Sequence, residues 1–99
     1  MDLLEIRGRL DQIDTQIETL FEERTRLCSE VAEYKIATGK AVYDAEREKQ
    51  KIESVQAMAE SEFNKQAVAE LFLQMMTLSR RYQYQTIAGR VGGPDLGFH

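Results

Sequence analysis

Arg24, Lys35, Glu48, Ser79 and Gln83 are the residues whose types and spacing could do chemistry, because each falls where a helical pattern calls for an apolar side chain. Arg24 stands four after Leu20 and three before Leu27, inside an apolar seam. Lys35 follows Val31 by four and Arg24 by eleven, which returns to nearly the same angle on a helix about 16 Å further along its axis. Two long cationic side chains so placed can grip opposite ends of a small anion. Glu48 precedes Ile52 by four, with Asp44 another four residues earlier, and Ser79 and Gln83 share a face with Phe72 and Met76. Singly, each has a structural explanation: register for Arg24, a surface ion pair for Glu48, core-edge hydrogen bonds for Ser79 and Gln83. Together they are two cations, an acid, a hydroxyl and an amide directed into one bundle. Burying them unpartnered costs several kcal/mol, so a polar ligand in the bundle core accounts for the set. The chemistry on offer is clamping and hydrogen-bond donation. With one histidine (His99) and one cysteine (Cys28), the chain offers no Ser-His triad, no His/Cys metal cluster and no internal disulfide, and no cofactor is expected.

The elements that must position these residues are all α-helical. Pro is absent until Pro94, Gly39 is the only glycine between Gly8 and Gly89, and strand-type alternation is not sustained anywhere. Apolar residues at Leu3, Ile6, Leu10, Ile13, Ile17, Leu20, Leu27, Val31 and Tyr34 recur at threes and fours, apart from the gap at Arg24. They predict one long helix from Asp2 to Thr38, stopped by Gly39 as a left-handed cap. A second helix is expected after Asp44, which can cap it, and fades around Glu60 to Glu62. A third runs from Phe63 or Asn64 to Ala88, with an inward stripe of Val68, Leu71, Phe72, Met75, Met76, Ser79, Tyr82 and Gln83. The division expected is a helical domain over residues 1–88 and a glycine-rich tail or linker over 89–99.

A chain of 99 residues makes one domain. Its 13 basic and 17 acidic residues argue against nucleic-acid binding. No apolar run reaches the ~20 residues of a membrane span, and the first residues lack a signal-peptide core, so a cytoplasmic protein is expected. A helix of about 37 residues spans roughly 55 Å, whereas a compact domain of this size is only about 34 Å across. The first helix therefore overhangs its own chain, and a second copy is needed to cover the seam. The expectation is an intertwined helical homodimer. Arg7 lies seventeen residues before Arg24, about 25 Å away on one helix, but antiparallel pairing brings it to Arg24 and Lys35 of the other chain.

Four segments carry a resemblance to the all-helical chorismate mutases. They are Ile6-Arg7 through Asp14, Glu23-Arg24 through Lys35 with Leu27, Glu30 and Val31 between, Val42-Tyr43-Asp44 through Arg47-Glu48, and Ser79 through Gln83. The resemblance covers residues 3 to 86 in the family's order and spacing. It implies rearrangement of chorismate to prephenate, the branch step toward phenylalanine and tyrosine, at two sites shared within a dimer. Carried over, Arg7 of the partner chain and Arg24 would bind the two substrate carboxylates, and Lys35 and Gln83 would donate to the ether oxygen of the breaking bond. Glu48, helped by the backbone near Asp44, would hold the ring hydroxyl, Ser79 would assist at the ring carboxylate, and Arg47 would border the site. In this family the mutase domain is often the N-terminal part of a bifunctional protein, joined to prephenate dehydratase or dehydrogenase; the tail resembles the start of such a linker, with a C-terminal prephenate dehydratase domain the first expectation. Arg80 and Arg81 depart from many relatives and read as a solvated face in preference to a site entrance, while Cys28 reads as a structural thiol in preference to one that borders the pocket.

The inventory suits such a reaction. A pericyclic rearrangement needs the substrate held folded and donors aimed at the oxygen that gains charge, not a nucleophile. Two other functions share these residues: pyruvate elimination from isochorismate on the same fold, and a non-catalytic helical dimerisation module in which Arg24 only sets register. Arg24→Leu separates catalysis from register. A mutase keeps its fold and loses nearly all turnover of chorismate, whereas a dimerisation module becomes more stable with nothing lost; thermal unfolding and a rate assay on the same sample distinguish them.

Overall fold

The computed structural model describes residues 2–90. Three helices account for nearly all of them: α1 (Leu3–Thr38), α2 (Ala45–Met58) and α3 (Glu62–Arg90). Among the described residues there is no strand, and no helix is long and apolar enough to cross a membrane.

The helix ends follow from local chemistry. The Asp2 side chain accepts the N–H of Glu5 at 2.9 Å, satisfying a donor that the first turn of α1 cannot. Gly39 ends α1 at φ 72°, and its N–H donates to the Lys35 carbonyl at 2.8 Å. Asp44 caps α2 by accepting the N–H of Arg47 at 3.0 Å, with Glu46 and Glu48 in the first turn near the positive end of the dipole. Ser61 Oγ accepts the N–H of Asn64 at 3.1 Å, so α3 begins at Glu62, slightly before the expected Phe63 or Asn64. At its far end α3 passes Ala88 and Gly89 and reaches Arg90. Burial of Ala88 and an ion pair between Arg90 and Glu33 of α1 carry it there. They offset the ~1 kcal/mol that a helical glycine costs. Residues 91–99, the remainder of the expected tail, lie outside the described residues.

α3 packs against both α1 and α2, while α1 and α2 do not pack on each other. Arg24 meets Ser79 and Glu33 meets Arg90, so α1 and α3 run parallel. Glu48 meets Arg80 and Gln56 meets Lys65, so α2 runs antiparallel to α3. The chain measures 55 × 28 × 21 Å with a radius of gyration of 17.0 Å, well above the ~13 Å of a compact 100-residue domain. Its interior is thin: Ala32, Val42, Val55, Met76 and Ala88 are buried apolar residues, and no large side chain is fully enclosed. Every residue from Asp2 to Leu20 is exposed within the single chain. The expected seam is thus real as a surface feature, with Leu3, Ile6, Leu10, Ile13, Ile17 and Leu20 all facing outward. Leu71 and Tyr82, expected to point inward from α3, are exposed too. Periodicity identifies an apolar face but not the neighbour that covers it.

At Gly39 an added Cβ would meet nothing within 4 Å, so a methyl group there is penalised only by the left-handed backbone. Gly39→Ala should therefore cost about 1 kcal/mol, and Gly39→Asn less. Urea unfolding at matched protein concentration measures both, and a wild-type midpoint for the alanine variant would mean that the connection relaxes.

Candidate functional site

A cleft of about 270 Å³ opens where the C-terminal half of α1, the start of α2 and the C-terminal half of α3 converge. Arg24 and Lys35 reach it from α1, Asp44 from the connection, Arg47 and Glu48 from α2, and Ser79 and Gln83 from α3. Seven of the eight residues singled out in the sequence therefore share one cavity. Arg7 does not: it sits on the exposed N-terminal half of α1, outside this cleft. Leu27, Val31, Val42 and Met76 supply an apolar wall.

Each polar group is held by a specific contact. Arg24 Nη1 donates to Ser79 Oγ and approaches Cys28 Sγ at 3.9 Å. Ser79 Oγ in turn donates to the Met75 carbonyl at 2.9 Å, so the hydroxyl is used on both sides and its effect is to aim the guanidinium. Arginine has five N–H donors, and most of them stay available. Lys35 Nζ donates to the Val42 carbonyl at 2.7 Å, pinning the connection between α1 and α2 against the end of α1. An ammonium carries three protons, leaving two for a ligand. The Asp44 carboxylate is engaged as the cap of α2, so what it offers the cleft is chiefly a fixed backbone. Arg47 is exposed at the rim. Cys28 is half-buried, unpaired and borders the cleft beside Arg24.

Gln83 is the one buried polar residue among the described ones, with 6% of its surface exposed. Its Oε1 has no partner among the described residues. A buried carboxamide oxygen left unpaired costs about 1–3 kcal/mol, which makes Gln83 the group of the cleft whose needs the chain itself least satisfies.

Arg80 is a correction to the sequence reading. It does not lie on a solvated face: it lines the cleft and forms an ion pair with Glu48, its side chain only 27% exposed. The hydrogen bond to Glu48 raises its pKa above the ordinary arginine value, against the opposing effect of burial. Its place four after Met76 and three before Gln83 is a signal that could have found it. Arg81 is exposed, as expected. Lys51, which the sequence reading missed, also lines the cleft. Five cations thus face two carboxylates, a balance suited to an anion with more than one charge.

Fold and cleft together define a small all-helical protein with a cationic, amide-bearing ligand site. Residues 6–84 match the family model for chorismate mutase type II, and the chain belongs to that family. Over 47 residues it is 47% identical to a chorismate mutase of Methanocaldococcus jannaschii, an alignment covering 48% of this chain and 48% of that protein. The match thus spans about half the length of the curated relative.

Gln83→Glu tests the amide. A carboxyl buried at this depth is pushed toward its neutral form, which donates as an amide does, and it loses that proton as pH rises. Activity of the variant should therefore be present at acidic pH and lost toward alkaline pH, while the wild-type profile lacks this fall; full activity at pH 8 would remove Gln83 from the donor role.

Proposed function

We propose that this chain catalyses the rearrangement of chorismate to prephenate, as a cytoplasmic homodimer with two sites that each draw on both chains. The convergence of Arg24, Lys35, Glu48 and Gln83 on one cleft, in a chain of this family, carries the reading. Arg24, aimed by Ser79, binds one substrate carboxylate, and Arg7 of the partner subunit binds the other. Lys35 and Gln83 donate to the ether oxygen as its bond to carbon breaks and charge builds there. Glu48 accepts from the ring hydroxyl, and Arg47 closes the rim. No covalent intermediate is involved. Even a millionfold acceleration requires about 8 kcal/mol, which folding of the substrate and stabilisation of the developing oxyanion can supply together.

Two surfaces support the dimer. Leu3, Ile6, Leu10, Ile13, Ile17 and Leu20, exposed on the first half of α1, leave unburied side chains worth about 1.5–3 kcal/mol each. Beside them an apolar groove of about 670 Å³ runs between α1 and α3, lined by Ile17, Leu20, Phe21, Leu71, Phe72, Met75 and Leu78 among others. A second α1 laid antiparallel covers both features and carries Arg7 toward the cleft.

The direct test is to incubate purified protein with chorismate and identify prephenate by its acid conversion to phenylpyruvate. Failure with chorismate but pyruvate release from isochorismate would reassign the reaction on the same cleft. Shared sites have their own signature. Arg7→Ala and Lys35→Ala homodimers should each be nearly inactive. Unfolded and refolded together in equal amounts, they should recover about a quarter of wild-type activity, because half the dimers are mixed and each mixed dimer has one intact site. No recovery would mean that the two residues serve the same chain's site.

A further inference from the structure

The ion pair between α3 and α2 does something that pairing alone does not require. Arg80 presents a single nitrogen, Nη1, to both oxygens of the Glu48 carboxylate. Its guanidinium carbon also lies 5.1 Å from the centre of the Tyr43 ring, and Nη2 reaches Thr77 Oγ1 at 3.4 Å. The guanidinium is thus fixed from three sides, by the connection, by α2 and by its own helix. Glu48, by contrast, stands at the start of α2 with Lys51 one turn on, a second cation of the cleft toward which a carboxylate freed from Arg80 could swing. A carboxylate offers about four lone-pair positions, and one nitrogen straddling both oxygens uses two. The other two stay open for a hydroxyl donor.

We propose that Arg80 is a positioning residue: it holds the Glu48 carboxylate in the cleft and neutralises it, so that Glu48 can accept a hydrogen bond from the hydroxyl of a ligand whose own carboxylates it would otherwise repel. The inference rests on the mutase reading above. The ligand class is a dicarboxylate that carries a hydroxyl, and Arg80 acts on it through Glu48.

A double-mutant cycle of Arg80→Met and Glu48→Gln, read as kcat and KM for chorismate, tests this. In the wild-type background Arg80→Met should lower kcat/KM by roughly tenfold or more, with more of the loss in KM than in kcat, because an uncompensated carboxylate repels the dianion. In the Glu48→Gln background, where there is no charge to neutralise, the same change should cost less than about threefold. Arg80→Lys should recover part of the loss, since one nitrogen makes both contacts with Glu48 while the Thr77 contact of Nη2 is lost. Circular dichroism and sedimentation accompany each variant, and Arg80→Gln replaces Arg80→Met in the cycle if the latter loses its helical signal. Equal losses in the two backgrounds would overturn the role, because Arg80 would then act independently of Glu48. Lack of turnover by the wild type would instead remove the mutase reading, and this inference with it.

Discussion

The length of α1 is the constraint on which the rest of the molecule depends. Its 36 residues run nearly the full 55 Å of the chain; α2 does not pack on it, and α3 leaves every residue from Asp2 to Leu20 exposed. In proteins most helical stability comes from packing an apolar face, so the regular apolar spacing of the exposed half suits another surface. The other half of the same helix sets one face against α3, with Ala32 buried, and it carries Arg24 and Lys35. One element therefore holds both the surface that seeks a partner and the cations that seek a ligand. Arg7 sits on the exposed half, a solvated arginine of the single chain, and the proposed dimer would bring it to the partner's cleft.

Assembly of the cleft is the task of α3. Because it lies between α1 and α2, and successive side chains on a helix point about 100° apart, neighbouring residues on α3 address different helices. Ser79 turns to α1 and aims Arg24, while Arg80 turns to α2 and holds Glu48. Gln83, one turn further on, faces the space between them. The contacts that join the helices are thus the same contacts that orient the polar groups. With so thin an apolar interior, these side chains contribute to the fold and to the site together, and a substitution at Ser79 or Arg80 disturbs both.

Much of this is legible in the sequence, for identifiable reasons. Gly39 and Asp44 mark helix boundaries because a left-handed cap and an N-cap are local chemistry, independent of anything distant. Arg24, Lys35, Glu48, Ser79 and Gln83 stand out because polar residues at apolar positions break a periodic pattern. Arg80 does not stand out. It is one residue from Ser79, at the edge of the inward face: its spacing from Met76 and Gln83 permits the cleft without requiring it, and its long side chain and the placement of α2 bring it in. Leu71 and Tyr82 illustrate the converse: helical phase marks them as apolar-facing, but coverage depends on a neighbour that one chain does not supply. The end of α3 at Arg90 is hidden for a similar reason, since Gly89 argues locally for a stop, while burial of Ala88 and the pairing of Arg90 with Glu33 depend on the distant α1.

The organisation of the cleft also bears on how it could accelerate a reaction without attacking its substrate. Its donors are already tethered to the chain: Lys35 by the Val42 carbonyl, and Arg24 by a serine that is itself anchored to Met75. Tethered dipoles and charges need little rearrangement when charge moves within a ligand, whereas water must reorganise around the same charge in the uncatalysed reaction. The apolar wall of Leu27, Val31, Val42 and Met76 strengthens the effect by limiting the solvent that would screen these groups. Gln83 differs from the others in being deeply buried with an oxygen the chain leaves unpaired. A carboxamide tolerates that position because it carries no charge to desolvate, and it keeps its N–H donors at every pH at which the fold survives. An acid in the same place would combine donation with a titration, tying catalysis to pH. The choice of an amide there separates the two.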